Sequence, residues 1–207
     1  MIQKIKNFIK YTSLYASILD WKQMRNWEKN NRYGPPPHLI KQKIIKEYAR
    51  CFAIDTLIET GTYLGRMVSA TRDTFKEIFS IELDNELFKR AKKKFAKYPH
   101  IHIIHGDSEK MLPEMLSSIN KPCLFWLDAH YSGGVTAKGD IETPIAKELE
   151  TIFKSPDRNH VILIDDAEDF VGKNDYPTIE WLKRYVLKYR PDWNFEVKDN
   201  IVRIYPN

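Results

Sequence analysis

The sequence contains no long hydrophobic run. Two of its longest apolar stretches, CLFWL (123–127) and VILI (161–164), are far shorter than the ~20 residues that a membrane-spanning helix requires. The N-terminal segment also lacks the continuous apolar core of a signal peptide, because lysines interrupt it. The sequence therefore predicts neither a transmembrane nor a secreted protein, and the expected compartment is the cytoplasm.

Cysteine is scarce as well. The 207 residues include only Cys51 and Cys123, which lie far apart in apolar surroundings. A secreted domain held together by disulfides would need a denser cysteine pattern. We therefore expect two reduced, buried thiols, as is usual in cytosolic proteins.

Acidic residues are outnumbered, and the chain carries a net charge of +5. Much of the excess lies in KRAKKKFAK (89–97), which has six basic residues. Leu87, Ala91 and Phe95 recur at every fourth position, so the lysines are predicted to lie on the solvated face of an amphipathic helix. No nucleic-acid-binding motif accompanies this segment, and a nucleic-acid partner is accordingly not favoured.

The length suits one α/β domain preceded by an arm. Apolar residues near the N-terminus keep a loose helical period, and YGPPP (33–37) breaks that helix. We predict an N-terminal helical arm at 1–37 and a single domain at 38–207. Three interpretations of the arm are open: a helix on a membrane surface, a lid over the substrate, or a helix packed on the core or on a second subunit of a homodimer. The packed helix is favoured.

After the arm, short apolar runs alternate with helical segments, which is the pattern of βαβ units and a parallel sheet. Helices are expected near 64–76, over SEKMLPEML (108–116), near 142–154 and near 178–189, and Asp84 is placed to N-cap the helix that follows EIFSIE. The predicted strands contain DTLIE, EIFSIE, IHIIHG, PCLFWLD and HVILIDD, and WNFEV and IVRIYP follow at the C-terminus. The last two flank KDN, which predicts a tight turn and a closing hairpin.

Acidic residues stand where the five predicted parallel strands end. They are Glu59, Glu82, Asp107, Asp128 and the pair Asp165/Asp166. The carboxyl ends of parallel strands meet at one edge of a sheet, where open α/β sheets bind their ligands. One acid at a strand end is often a helix cap, but five in succession predict a ligand site.

The first two of these acids have a spacing that suggests a nucleoside ligand. Gly61 and Gly65 follow Glu59 in a G-x-x-x-G arrangement, which lets the backbone turn sharply and approach a ligand. Glu82 comes 23 positions after Glu59, near the ~20-residue spacing at which an acid after the second strand binds ribose hydroxyls. A dinucleotide dehydrogenase would use the same acid but a G-x-G-x-x-G loop, so the glycine spacing disfavours NAD.

Three segments resemble the motifs of class I S-adenosylmethionine-dependent methyltransferases: ETGTYLG the first, SIELD the second and HGDSEKMLPEML the third. The resemblance covers about residues 54–205. It implies a Rossmann-like fold with a mostly parallel seven-stranded sheet and a C-terminal antiparallel hairpin, and S-adenosylmethionine as cofactor. Glu59 and Gly61 would lie beside its methionine part, Glu82 on the ribose, and Asp107 with Ser108 near the adenine. The full set of cofactor-binding residues predicted in this way is Glu59, Thr60, Gly61, Thr62, Tyr63, Gly65, Glu82, Leu83, Gly106, Asp107, Ser108 and Asp128.

The later strand ends suggest a metal. Asp128, Asp165 and Asp166 would converge above the sheet, and three carboxylates packed together repel one another unless a cation compensates them. Mg²⁺ suits such a site. FWLDAHYSGG and LIDDAEDF resemble the corresponding segments of metal-dependent O-methyltransferases of the catechol and macrocin types, which place metal-binding acids after strands four and five. The alternative is that Asp165 or Asp166 only caps the segment that follows.

His130 is the predicted general base, acting beside Asp128, because imidazole titrates near neutral pH. In catechol-type enzymes a lysine stands three positions after the metal-binding acid, and here that position holds Tyr131. His130 could equally be a residue beside the metal. The glycine-containing segment 131–140 is expected to close over the substrate, with an ordinary surface loop as the alternative.

These observations predict an S-adenosylmethionine-dependent O-methyltransferase, assisted by Mg²⁺, acting on a hydroxyl of a sugar or another small polyol. One alternative is a domain that kept the cofactor fold but has a different activity or none. Another is a nucleic-acid methyltransferase, which is disfavoured because no NPPY-like or DPPY-like motif follows the fourth strand.

Overall fold

The computed structural model describes residues 13–30, 34–128, 143–155 and 159–207. It contains two compact units, Met1–Ile44 and Ile45–Asn207. Helix α1 (Ser13–Lys29) lies in the first unit, and the division falls within helix α2 (His38–Cys51). The predicted separation into an arm (1–37) and a domain (38–207), and the role of the arm, remain predictions. No helix among the described residues has the length and apolar character needed to cross a membrane.

The second unit is built on a seven-stranded sheet with the order β3-β2-β1-β4-β5-β7-β6. Strands β1 to β5 are parallel, whereas β7 is antiparallel to both β5 and β6. The strands are β1 (Thr56–Thr60), β2 (Glu77–Glu82), β3 (Ile101–His105), β4 (Leu124–Leu127), β5 (Val161–Ile164), β6 (Asn194–Lys198) and β7 (Ile201–Tyr205). The predicted fold, a mostly parallel sheet closed by an antiparallel hairpin, is therefore confirmed.

Helices connect the strands. They are α3 (Arg66–Thr71), α4 (Asn85–Phe95), α5 (Ser108–Leu116), α6 (Ile145–Lys154) and α7 (Ile179–Tyr189), and a short 3-10 helix spans Ala167–Asp169. Every residue of β4 and β5 is buried, as expected for strands covered on both faces. On α4, Leu87, Ala91 and Phe95 are buried, which confirms the predicted amphipathic helix.

Two local expectations were wrong. Cys51 is exposed at the end of α2, while Cys123 is buried as expected. Helix α3 ends at Thr71 instead of near residue 76. The Ser69 and Thr71 hydroxyls donate to the carbonyls four residues before them, a local competition that weakens short helices. The N–H groups of Thr74 and Phe75 then both bond to the Thr71 carbonyl, so the chain turns there.

The strand register brings the loops at the carboxyl edge together. Thr60 is aligned with Ile81 on β2 and with Leu127 on β4. Backbone hydrogen bonds extend this alignment past the strand ends: Asp128 N–H donates to the Thr60 carbonyl and Asp165 N–H to the Leu127 carbonyl, both at 3.1 Å. The residues after β1, β4 and β5 therefore lie side by side at one edge.

Candidate functional site

Glu59 lies in a buried chain of hydroxyl groups. It is aligned with Ser80 on β2, and the Ser80 hydroxyl donates to the Glu59 carboxyl in a short hydrogen bond. The Thr62 hydroxyl lies 2.6 Å from Ser80 Oγ. Ser80 was not among the predicted site residues, although a serine in the apolar strand EIFSIE is a signal that could have identified it. The three side chains fix the start of the loop after β1.

Glu59 is only 2% exposed, and burial raises the pKa of its carboxyl to about 8. The negative charges of Asp128 and Glu82 add to this rise, while the Ser80 hydrogen bond and the charge of Lys94 oppose it. Burial thus favours the protonated form of the Glu59 carboxyl. A cationic ligand group near this carboxyl would favour its ionised form.

Glu82 organises the neighbouring backbone. Its two carboxylate oxygens accept from Tyr63 N–H at 2.7 Å and from Asp84 N–H at 2.9 Å. Burial raises the pKa of Glu82, and these backbone donors oppose the rise. Each carboxylate oxygen has a second lone pair that a ribose hydroxyl can use. Glu82 thus joins the loop after β1 to the loop after β2, where the predicted ribose would lie.

Side chains of α4 contact the loop from Gly61 to Gly65. A Cβ on Gly65 would lie 2.7 Å from the Phe95 ring, and Gly65 has a left-handed φ of 63°. Lys94 Nζ donates to the carbonyls of Leu64 and Gly65 at 3.0 and 3.1 Å. The helical pattern had assigned Lys94 to the solvated face only, because a partner some 30 positions away leaves no trace in the local period.

Two apolar side chains are exposed beside Glu82. Tyr63, which has a left-handed φ of 48°, is 45% exposed, and Leu83 is 37% exposed. Ligand sites are lined mainly by apolar and aromatic side chains with a few polar groups among them. Both residues are in the predicted cofactor set.

The third predicted motif has a structural role as well. Asp107 caps α5, because its carboxylate accepts from Glu109 N–H at 3.1 Å. Gly106 N–H donates to the Glu82 carbonyl at 3.0 Å, and Ser108 is buried. The residues predicted to border the adenine are thus joined by this hydrogen bond to the acid predicted to bind the ribose.

Asp128, Asp165 and Asp166, called the carboxylate trio below, come together as predicted. Each offers one ligand atom, and these atoms all lie within 4.8 Å of one another. Asp165 is buried, whereas Asp128 and Asp166 are partly exposed. A ligand can therefore reach the trio from the side of Asp128 and Asp166, while Asp165 is enclosed by the protein.

The donor set of the trio suits Mg²⁺ or Mn²⁺. Hard divalent cations prefer carboxylate oxygen. Oxygens that share one Mg²⁺ at about 2.0–2.1 Å lie about 3–4 Å apart in octahedral geometry. The ligand atoms of the trio lie within 4.8 Å of one another, close enough for all three carboxylates to reach one cation, so the residues fit the metal that the sequence predicted.

Asp166 stands at the N-cap position of the 3-10 helix with a left-handed φ of 49°, yet its side chain makes no capping hydrogen bond. Asn200 does that work instead: its backbone carbonyl accepts from Ala167 N–H and its side-chain Oδ1 from Glu168 N–H, at 2.9 and 2.8 Å. The simple capping role considered for Asp166 is therefore not what the structure shows. His130 and the segment 131–140 lie outside the described residues.

Glu148 is a buried acid that the sequence analysis did not select. It is 1% exposed on α6, and burial raises the pKa of its carboxyl to about 7, while the hydroxyls of Ser108 and Thr60 oppose the rise. Glu148 therefore lies between the end of β1 and the start of α5. The helical period of α6 places Glu148 among apolar residues, and this position could have identified it as a buried acid.

The chain has curated relatives that match over part of its length. It is 32% identical over 105 residues to ribosomal RNA small subunit methyltransferase A from two strains of Dehalococcoides mccartyi, BAV1 and CBDB1. The match covers 49% of this chain and 36% of each relative, so the chain spans only about a third of their length. No protein-family model matches the chain.

Solved structures match over most of its length. An O-methyltransferase from Bacillus cereus, in complex with S-adenosylhomocysteine, has a TM-score of 0.59 at 12% identity and covers 89% of each chain. The O-methyltransferase TomG from Streptomyces achromogenes, in complex with S-adenosylmethionine, has a TM-score of 0.57 at 15% identity, with 81% of this chain and 80% of that chain covered. The chain thus has the class I methyltransferase fold, and the resemblance inferred from the three motifs is confirmed at that level.

Proposed function

We propose that the protein is an S-adenosylmethionine-dependent O-methyltransferase, assisted by Mg²⁺, that methylates a hydroxyl of a sugar or another small polyol. The observation that carries the proposal is the convergence of the carboxylate trio at the same sheet edge as the Glu59 and Glu82 loops. A cofactor site alone would fit many methyl acceptors. An adjoining oxygen-rich cation site suits an acceptor with neighbouring hydroxyls.

In this proposal the first three strand ends bind the cofactor. Glu82 accepts hydrogen bonds from the ribose hydroxyls, and the loop Gly61–Gly65 presents backbone N–H groups to the methionine part. Asp107 and Ser108 border the adenine. Glu59 faces the positive end of the cofactor, where the ammonium and sulfonium charges favour ionisation of its carboxyl.

Asp128, Asp165 and Asp166 hold the metal, which when bound would lower the pKa of an acceptor hydroxyl and orient it. In the transfer, the methyl carbon forms a bond to the acceptor oxygen as its bond to sulfur breaks, and the electron pair remains on sulfur. The hydroxyl proton passes to a base, for which His130 is our candidate. The protein's contribution is mainly alignment, because the sulfonium already activates the methyl group.

RNA methylation is the second candidate. It is favoured by the curated relatives, which are ribosomal RNA methyltransferases and match this chain at 32% identity over 105 residues. Two features weigh against it: Asp128 follows β4 where base methyltransferases carry an NPPY-like motif, and the trio offers a metal site. The roles of the arm and of a second subunit remain predictions.

Calorimetry separates the cofactor classes. We expect S-adenosylhomocysteine to bind with micromolar affinity and NAD not to bind. Mn²⁺ should bind as well, and its binding should disappear in Asp128→Ala and Asp166→Ala. Asp166→Ala, which lies outside the predicted cofactor set, should still bind S-adenosylhomocysteine. Failure of the wild-type protein to bind S-adenosylhomocysteine would end the methyltransferase proposal.

The acceptor class is tested by incubating the protein with S-adenosylmethionine and Mg²⁺. One reaction contains a panel of sugars and small polyols, and a parallel one contains ribosomal RNA. Mass spectrometry should find a gain of one methyl group on a sugar or polyol and none on RNA. Methylated RNA with unchanged polyols would transfer the assignment to the second candidate, and full activity in a chelator would remove Mg²⁺ from the proposal.

A further inference from the structure

The C-terminal hairpin turn lies next to the segment that carries two of the three proposed metal ligands. Ile164 on β5 is aligned with Val202 on β7, and Lys198 pairs with Ile201 across a two-residue turn. Both turn residues, Asp199 and Asn200, have a left-handed φ, of 53° and 56°, as a type I′ hairpin requires. Because β7 is antiparallel to β5, its start lies beside the end of β5, just before Asp165.

Asn200 reaches across this boundary with two acceptors. Its backbone carbonyl accepts from Ala167 N–H at 2.9 Å, and its Oδ1 accepts from Glu168 N–H at 2.8 Å. These are the first two N–H groups of the 3-10 helix after Asp166. An N-cap residue normally satisfies such donors with its own side chain. Here a residue 34 positions later in the sequence supplies the acceptors.

An aspartate at an N-cap position usually uses its carboxylate to cap the helix. Asp166 occupies the cap position in a strained left-handed conformation, but its side chain does not cap the helix. Its carboxylate instead belongs to the trio, with ligand atoms within 4.8 Å of one another. A residue held in a sparsely populated conformation persists only where its surroundings fix it, and the two hydrogen bonds to Asn200 are such a constraint.

We propose that Asn200 is a positioning residue of the metal site: by capping the 3-10 helix in place of Asp166, it holds the Asp166 carboxylate in the trio. Asn200 does not itself bind the cation. The inference rests on the proposed function, because it assigns a role at the metal site that the trio would form. It makes the C-terminal hairpin part of the site, although the hairpin carries none of the ligands.

The test compares three variants by titration with Mn²⁺, in which electron paramagnetic resonance measures the concentration of the free ion. Asn200→Gly keeps the left-handed turn, because glycine adopts that φ readily, but removes Oδ1. Asn200→Asp keeps an acceptor at the same place and tests rescue. Asp199→Gly is the matched control, since Asp199 is the other turn residue and its carboxylate contacts Arg203, not the 3-10 helix. S-adenosylhomocysteine affinity is measured for each variant as a second readout.

We expect Asn200→Gly to bind Mn²⁺ about five- to tenfold more weakly, the effect of losing one capping hydrogen bond. The Mn²⁺ affinity of Asn200→Asp should stay within about threefold of the wild type, because this variant alters the capping acceptor but keeps one there. The Mn²⁺ affinity of Asp199→Gly should stay within about twofold, because this variant leaves the capping acceptor unchanged. S-adenosylhomocysteine affinity should be unchanged throughout. Unchanged Mn²⁺ binding by Asn200→Gly, or an equal loss of both ligands, would refute the positioning role. Absence of Mn²⁺ binding by the wild type would instead refute the proposed metal site itself.

Discussion

The two halves of the sheet edge hold their acids in different ways. At the ends of β1, β2 and β3, the acids accept hydrogen bonds from nearby donors: Ser80 for Glu59, backbone N–H groups for Glu82, and the first turn of α5 for Asp107. At the ends of β4 and β5, three carboxylates offer ligand atoms that lie within 4.8 Å of one another. The first group, which carries the proposed cofactor contacts, is the cofactor half, and the second, which would hold the proposed metal, is the metal half.

The difference indicates how each half reaches its working geometry. Hydrogen bonds from the protein organise the cofactor half before any ligand binds, which reduces the cost of ordering it on binding. The metal half brings three carboxylates together, and a cation bound there would offset their mutual repulsion. Ligand binding in the two halves should therefore respond separately to substitution.

The largest effect is expected from Glu82→Ala. It removes the acceptor for two backbone donors and for the ribose hydroxyls, each a charge-assisted hydrogen bond. We expect S-adenosylhomocysteine affinity to fall by at least ~100-fold, at about 1.5–3 kcal/mol per such bond. Mn²⁺ affinity should stay within about twofold, because Glu82 is outside the trio. Calorimetric titration measures both.

Glu77→Ala is the matched control for this substitution. Glu77 stands at the opposite end of β2 and bonds to Lys121 at 2.8 Å, far along the strand from the carboxyl edge. It should leave S-adenosylhomocysteine affinity unchanged. If Glu82→Ala weakened Mn²⁺ binding as much as cofactor binding, the two halves would not be separate.

Gly65→Ala tests whether the cofactor half depends on close packing. A methyl group there would meet the Phe95 ring at 2.7 Å and would also strain the left-handed backbone. We expect the free energy of unfolding to fall by about 2–3 kcal/mol, measured by urea denaturation. Gly34→Ala is the control, because Gly34 has a φ of 89° but no atom of the described residues lies within 4 Å of the added Cβ. Only the backbone cost of about 1 kcal/mol should appear there. Equal losses in the two variants would show that the contact with Phe95 is unimportant.

The sequence predicted those features of the sheet edge whose interacting residues are close together along the chain. EIFSIE and SEKMLPEML were predicted as β2 and α5 with the bounds that the structure has, because periodicity and capping are local signals. Asp84 was likewise predicted as an N-cap and accepts from Glu86 and Leu87 N–H. The positions of Glu82 and the trio were predictable because strand ends in a parallel sheet share one edge.

The residues that the sequence did not reveal have distant partners. Lys94 bonds to carbonyls some 30 positions earlier, and Asn200 to N–H groups more than 30 positions earlier. A helical period shows which face of α4 is solvated, and a turn motif shows that KDN bends. Neither pattern specifies which loop comes within reach once the sheet has formed.

Glu148→Gln tests how the buried Glu148 carboxyl affects the pH dependence of the free energy of unfolding. The folded pKa of Glu148 is raised from 4.5 to about 7, so in this window the folded protein holds a proton that the unfolded chain has lost. The contribution of Glu148 to the free energy of unfolding therefore decreases as pH rises from 4.5 to 7. Relative to the wild type, Glu148→Gln should be more stable at pH 8 than at pH 5 by about 2 kcal/mol, measured by urea denaturation.

Glu150→Gln is the control for that pH dependence. Glu150 lies on the same helix, and its hydrogen bond to Lys154 lowers its pKa, so its ionised form is the one favoured by folding. The difference between Glu150→Gln and the wild type should therefore have the opposite sign and be small, because the ion pair is exposed. Parallel pH profiles for wild type and Glu148→Gln would show that the Glu148 carboxyl does not titrate in this range.

Lys94→Met is expected to have the smallest effect, and it asks whether the cofactor half needs support from outside its own loops. The variant keeps the apolar stem but loses the ammonium that bonds to the Leu64 and Gly65 carbonyls. Loss of this support should weaken S-adenosylhomocysteine binding about fivefold, equivalent to about 1 kcal/mol, with Mn²⁺ binding unchanged. Lys93→Met, at the exposed neighbouring position, removes the same charge without touching the loop. Equal effects of the two substitutions would mean that Lys94 acts only through the net charge of the basic helix, and the loop would then depend on Gly65, Phe95 and Glu82 alone.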